Sequence, residues 1–172
     1  MSQMIPAWID GRLVPVDKIE VHRRGLRHPA VSVFLLHDGH LLLQRRAVGK
    51  YHTPGLWANA CCTHPAWGEA PGDCARRRLR EELGLEGIEL HQRGQITYRA
   101  ALDRGLTEHE VAEIFIGDPG GFVDARPDPA EVSQTRWVPL AELTAQLAAT
   151  PERYAPWLRI YLTQHRAQIL DG

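Results

Sequence analysis

The chain has 172 residues, 44% of them hydrophobic and 24% charged, with a net charge of -1. That is the size and apolar content of one globular domain spanning 1–172, too apolar and too weakly charged for disorder. There is no basic excess for nucleic acid, no apolar run near the roughly 18 residues of a membrane span, and no basic-then-apolar leader at the start; the expectation is a cytoplasmic protein with neither kind of partner, a monomer or weak dimer.

Val31–Leu36 is apolar and β-branched, His37-Asp38-Gly39-His40 supplies a turn, and Leu41–Gln44 follows. This reads as a β-hairpin with an Asp-Gly turn. Residues 50–68 mix Gly, Pro, Trp and Asn without a period and read as an ordered loop. Pro71–Leu83 reads as a helix, with Pro71 in its first turn and Gly84 at its end. Ala75, Leu79 and Leu83 make its apolar stripe, and Arg78, Glu81 and Glu82 lie on another face. Strands are predicted at Gln95–Ala100, Glu110–Ile116 and Thr135–Val138, and helices near Pro139–Ala148 and Arg153–Gln168. Strands, a helix, strands and then helices give an α+β class, or a mixed α/β/α sandwich.

The chemistry concentrates in one stretch. Cys62 and His64 stand two residues apart, ahead of a helix rich in carboxylates and arginines. Thiol, imidazole and carboxylate together can transfer protons and bind metal. Three cysteines, Cys61, Cys62 and Cys74, clustered in one segment, make a poor disulfide framework and read as reduced thiols. Glu108 and Glu110 alternate, so on a strand both point to one face. His22 and His28 flank the start of the first core strand. Each of these has a plain alternative: a surface glutamate pair, packed histidines, or a solvated helix face with Arg77–Glu81 and Arg78–Glu82 pairs. Taken with His64, the histidines supply three imidazoles to join two carboxylates, a mixed N/O set suited to Zn²⁺, Mn²⁺ or Mg²⁺.

Glu69, then Arg77-x-Leu79-x-Glu81-Glu82-x-Gly84-Leu85, resembles the Nudix box, a loop-helix-loop that presents carboxylates to a divalent metal and a diphosphate. It departs from that box at Thr63, where the family has glycine, and at Arg78, where it has glutamate. Arg45-Arg46-Ala47, Lys50, Pro54-Gly55-Leu56-Trp57, Asn59, Cys62 and His64-Pro65 resemble the type I isopentenyl-diphosphate isomerases, which carry a degenerate box on the Nudix fold. The likeness continues at Thr97–Ala100, Glu108–Val111 and Ala155-Pro156-Trp157, covering roughly residues 15–160.

The resemblance implies a Nudix-type α/β/α sandwich with a mixed β-sheet. It implies that His22, His28, His64, Glu108 and Glu110 hold one metal, and that Glu82 helps hold a Mg²⁺ bridging to the substrate's diphosphate. Lys18, Arg46 and Lys50 would bind the diphosphate, Arg46 with a planar fork and Lys50 as a point charge. Cys62 and Glu110 would handle protons on opposite faces of a small isoprenoid diphosphate, with Tyr98 as helper and Trp157 stabilising a carbocation. Cys61 and Cys74 read as buried small hydrophobes. The competing readings are a Nudix pyrophosphohydrolase, which the arginine at position 78 disfavours, and a non-catalytic metal-binding module on the same fold.

Overall fold

The structure, a computed structural model, describes residues 3–171; Met1, Ser2 and Gly172, the ends of the expected 1–172 domain, lie outside the described residues. The chain opens with a hairpin of β1 (Met4–Ile9) and β2 (Arg12–Asp17), followed by the short helix α1 (Lys18–Arg24). Asp17 caps α1 by accepting from the Glu20 amide at 2.9 Å, and Gly25, at φ +60°, ends it. None of these three elements was expected from the sequence, because the hairpin is short and α1 has under two turns of amphipathic pattern.

The main sheet contains β3 (His28–His37), β4 (His40–Arg46), β5 (Trp57–Asn59), β6 (Cys61–Thr63), β7 (His91–Ala101), β8 (Thr107–Gly117) and β9 (Val132–Pro139). Its order is β5-β4-β3-β8-β7, with β6 added to β3 and β9 to β4. β3 and β8 run parallel and β7 and β8 antiparallel, so the sheet is mixed. The expected β3–β4 hairpin is present, with Asp38 and Gly39 both at positive φ as a two-residue turn requires. The stretch expected to be a loop at 50–68 contains β5 and β6. Each is three residues long and is held by pairing across the sheet, a non-local signal.

Helix α2 (Pro71–Leu83) covers one face, burying Cys74, Ala75, Leu79 and Leu83 against Val31, Val33, Leu35 and Phe115. The other face carries α3 (Leu140–Ala149), α4 (Pro156–Gln164) and α5 (Arg166–Leu170), which pack Trp157, Leu158, Tyr161 and Ile169 against Phe34, Leu43 and Ile114. Each such side chain taken out of water contributes about 1.5–3 kcal/mol. Both faces of β3 are therefore buried, which is why its sequence is a near-continuous apolar run. The single helix expected over Arg153–Gln168 is instead a 3-10 turn (Pro151–Arg153), then α4, then α5. Pro156 begins α4 because it holds Ala155 extended, and His165 breaks the chain before α5. No helix among the described residues is long and apolar enough to cross a membrane.

Candidate active site

Sheet register brings the chemistry together. On parallel β3 and β8, His28 lies beside Glu110, and on β7 Tyr98 lies beside the same Glu110. On β6, Cys62 lies beside Ser32 and Thr63 beside Val31. Because side chains alternate along a strand, Ser32, His28, Cys62, Glu108, Glu110 and Tyr98 all share one face, the face roofed by Trp157 and Tyr161 of α4. Glu108 falls on this face because β8 begins at Thr107, three residues earlier than the sequence suggested.

His22 arrives from α1, where its Nδ1 donates to the Lys18 carbonyl one turn back, at 2.6 Å. His28 Nδ1 donates to the Leu26 carbonyl at 2.8 Å. Both rings spend their Nδ1 proton on backbone, which leaves Nε2 as the lone-pair nitrogen aimed inward. His22, His28, His64 and Glu108 each offer one ligand atom, and the four lie within 4.8 Å of one another, all buried. Glu108 Oε2 is 3.3 Å from His22 Nε2 and has no hydrogen-bond partner among the described residues. Glu110 Oε1 is 3.1 Å from His64 Nε2 and 3.7 Å from His28 Nε2.

Converging lone pairs and an orphaned carboxylate oxygen in a water-poor site call for a cation. The carboxylates draw positive charge to this point: burial opposes charge on His28, but hydrogen bonding and charge from Glu108 and Glu110 raise its pKa to about 10, so without a cation a proton takes that place on Nε2. Burial and the charge of Glu108 push Glu110 up, while the surrounding histidines hold Glu108 down against its own burial. The donor set fits a divalent metal.

Tyr98 donates from its hydroxyl to Glu110 Oε2 at 2.7 Å, so Glu110 is divided between the imidazole cluster and this tyrosine. Cys62 Sγ donates to Asn59 Oδ1 at 3.0 Å and lies 3.4 Å from Ser32 Oγ, which is 2.9 Å from Tyr161 OH. Burial pushes the Cys62 thiol far up, so at rest it keeps its proton. Cys61 and Cys74 are fully buried in the core, as expected.

One cleft is lined by Cys62, Glu110 and Trp157 together with Lys18, Arg46, Lys50, Arg78, Glu82 and Glu131. Arg46 stacks on Trp157, its Cζ 5.3 Å from the ring centroid, and both Arg46 Nε and Trp157 Nε1 are buried without partners among the described residues. Lys50 pairs with Glu131. Burial, then the charges of Lys50 and Arg78, lower the Lys18 pKa to about 8, the mark of a crowded cationic pocket. Glu82 is 4% exposed; Arg78 Nη2 donates to its Oε1 at 2.7 Å and Gln44 Nε2 to its Oε2 at 3.1 Å. The space that a water-sized sphere can reach in the cleft is small, about 30 Å³.

The structure thus gathers the imidazoles, Glu108, Glu110 and Cys62 around one cleft with Lys18, Arg46, Lys50 and Glu82, and Tyr98 reaches it through Glu110. Residues not anticipated are Ser32, Gln44, Tyr51, His52, Glu131 and Tyr161. His52 lies next but one to Lys50 in the segment expected to be an ordered loop.

A NUDIX domain matches residues 26–159. The fold is shared with the Deinococcus radiodurans protein DR0079, at a TM-score of 0.73 and 16% identity, covering 91% of this chain and 95% of that one. It is also shared with a MutT NUDIX hydrolase from Burkholderia pseudomallei, at a TM-score of 0.63 and 21% identity, covering 81% and 98%. These place the chain in the Nudix class of α+β domains.

Sequence relatives are narrower. An isopentenyl-diphosphate Delta-isomerase of Cereibacter sphaeroides (strain ATCC 17029 / ATH 2.4.9) is 55% identical over 98% of this chain and 96% of its own length. That of Dinoroseobacter shibae is 56% identical with the same coverage, and that of Jannaschia sp. is 54% identical over 100% and 98%. The chain belongs to the type I isopentenyl-diphosphate Delta-isomerase family of the Nudix superfamily.

Proposed function

We propose that this chain, acting as one Nudix-fold domain, interconverts isopentenyl diphosphate and dimethylallyl diphosphate. The double bond moves by one carbon as one proton is added and another removed, in the service of isoprenoid synthesis. The observation that carries this reading is a thiol and a carboxyl, Cys62 and Glu110, on one sheet face under a tryptophan, in a cleft that Lys18, Arg46, Lys50 and Arg78 also line.

An unactivated alkene is a weak base, so its protonation needs a positioned acid, a partner base and exclusion of water. Glu110 and Cys62 are the two proton handlers, and the group that gives in one direction takes in the other. Tyr98 holds or relays the proton at Glu110 Oε2. Asn59 and Ser32 hold the Cys62 sulfur in place. Trp157 would stabilise the tertiary carbocation with its ring face, by roughly 0.5–2 kcal/mol. Burial of Glu110, Tyr98 and Trp157 helps keep water from capturing the cation.

His22, His28, His64, Glu108 and Glu110 would hold Mn²⁺, Zn²⁺ or Mg²⁺. Such a metal supplies fixed positive charge that orders these side chains and tunes the acidity of Glu110. Glu82 would hold Mg²⁺ at the diphosphate: a carboxylate has about four acceptor sites, and Arg78 and Gln44 use two. Lys18, Arg46 and Lys50 would bind the diphosphate itself.

The discriminating experiment incubates metal-loaded protein with isopentenyl diphosphate and, separately, with nucleoside diphosphate derivatives. Isomerisation yields dimethylallyl diphosphate and no phosphate. Cleavage of the nucleotides at the diphosphate, giving a nucleoside monophosphate and a phosphorylated remainder without isomerisation, would establish the pyrophosphohydrolase instead.

A further inference from the structure

His52 is buried, 3% exposed, in the segment between β4 and β5, and the chemistry above makes no use of it. Its two nitrogens face different partners. Nδ1 is 2.9 Å from Thr53 Oγ1 and 3.4 Å from Arg46 Nη2. A guanidinium can only donate, so Nδ1 is the lone-pair nitrogen and Nε2 carries the proton. Nε2 lies 3.1 Å from Glu108 Oε1, within ion-pair distance but outside hydrogen-bond geometry, and has no hydrogen-bond partner among the described residues. The remaining oxygen of the same carboxylate, Oε2, is the one turned to His22 and His28.

The segment is built to hold this ring. Arg46 Nη2 also donates to the His52 carbonyl at 3.1 Å. Thr53 sits at φ +45°, uncommon for a β-branched residue, and its amide donates to Asp103 Oδ1 at 2.7 Å across the sheet. The ring is walled by Tyr51, His22 and Trp157, with centroids at 4.2, 5.4 and 5.8 Å.

We propose that His52 is a positioning residue for the metal site, tying Glu108 Oε1 to Arg46 so that Glu108 Oε2 stays turned toward the imidazoles. The inference rests on the metal reading given above. A partner beyond the ligand shell that orients a ligating carboxylate is worth about 10–100-fold in metal affinity. The same ring lies 3.4 Å from Arg46 Nη2, so it stands between a cation of the cleft and Glu108.

The test is Mn²⁺ affinity, measured by competition with a chelator and by the electron paramagnetic resonance spectrum of bound Mn²⁺. His52→Ala should weaken binding about 10–100-fold and change the spectrum. His52→Gln, whose amide can donate from nearly the place of Nε2, should recover much of that affinity. Thr53→Val, which removes only the hydroxyl that helps set the tautomer, should weaken binding by a smaller factor. If His52→Ala does not fold, His52→Gln and Thr53→Val decide. Unchanged affinity and spectrum in the folded variants, with tight binding by the unsubstituted chain, overturn this inference alone. Failure of the unsubstituted chain to bind Mn²⁺ overturns the metal reading, and this inference with it.

Discussion

Tyr98 and Glu110 are register partners on adjacent strands, and the tyrosine hydroxyl donates to Glu110 Oε2 at 2.7 Å while the other carboxylate oxygen faces His64. One carboxylate therefore joins the metal cluster to a buried phenol. Tyr98→Phe keeps the ring and removes only this bond. It should leave metal content unchanged, cost about 1 kcal/mol of stability, and lower the isomerisation rate about 10-fold or more. Steady-state rates beside thermal melts check it; an unchanged rate would remove Tyr98 from proton handling.

Cys62→Ala should lower isomerisation by about 10²–10⁴-fold while metal stays bound, since the thiol touches Asn59 and Ser32 rather than the imidazoles. Elemental analysis together with rate measurement checks both halves. Retained activity would move the role to another group.

Glu108→Gln should lower metal content and rate together. Its Oε2 is the orphaned acceptor among the imidazoles, and an amide is a poor substitute there. Unchanged metal stoichiometry would reject Glu108 as a ligand.

Much of the fold was legible locally. The Asp38-Gly39 turn, the Ala75/Leu79/Leu83 stripe and the Gly84 cap are short-range signals, and each appears where expected. Glu108 and Glu110 were legible as a pair by alternation alone. The placement of Cys62 beside Ser32 and of His28 beside Glu110 depends on pairing between distant strands, which no local pattern encodes. The family resemblance supplied that grouping before the structure did. His52 escaped because one histidine in an aperiodic segment has no period to read, and its role depends on Arg46 and Glu108 meeting it in space. The short α1 and the broken C-terminal helix were missed for a different reason: their ends are set by Gly25, Pro156 and tertiary packing more than by amphipathic period.

Acid stability should report on the loop-to-helix clamp between Glu69 and Arg77. Arg77 Nε and Nη2 donate to the two Glu69 oxygens at 2.6 and 2.8 Å. Hydrogen bonding to Arg77 holds the Glu69 pKa near 2, against about 4.3 in an unfolded chain. A folded-state pKa below the unfolded one adds stability that is complete above the unfolded value and is lost as pH falls toward the folded one. Glu69→Gln should therefore cost about 1 kcal/mol at neutral pH, a figure reduced for partial exposure, and the difference from the unsubstituted chain should shrink between about pH 4.3 and 2. Urea melts across that window check it; a difference independent of pH would place the effect outside this ion pair.

The central claim is that Cys62 and Glu110 exchange protons with the substrate. The most direct measurement is deuterium uptake from D₂O into isopentenyl and dimethylallyl diphosphates, followed by NMR, for the metal-loaded protein and for Cys62→Ala and Glu110→Gln. The account predicts label in both diphosphates with the unsubstituted protein, no phosphate release, and loss of product formation in each variant. Isomerisation without solvent deuterium in the product, or full activity in either variant, would contradict it.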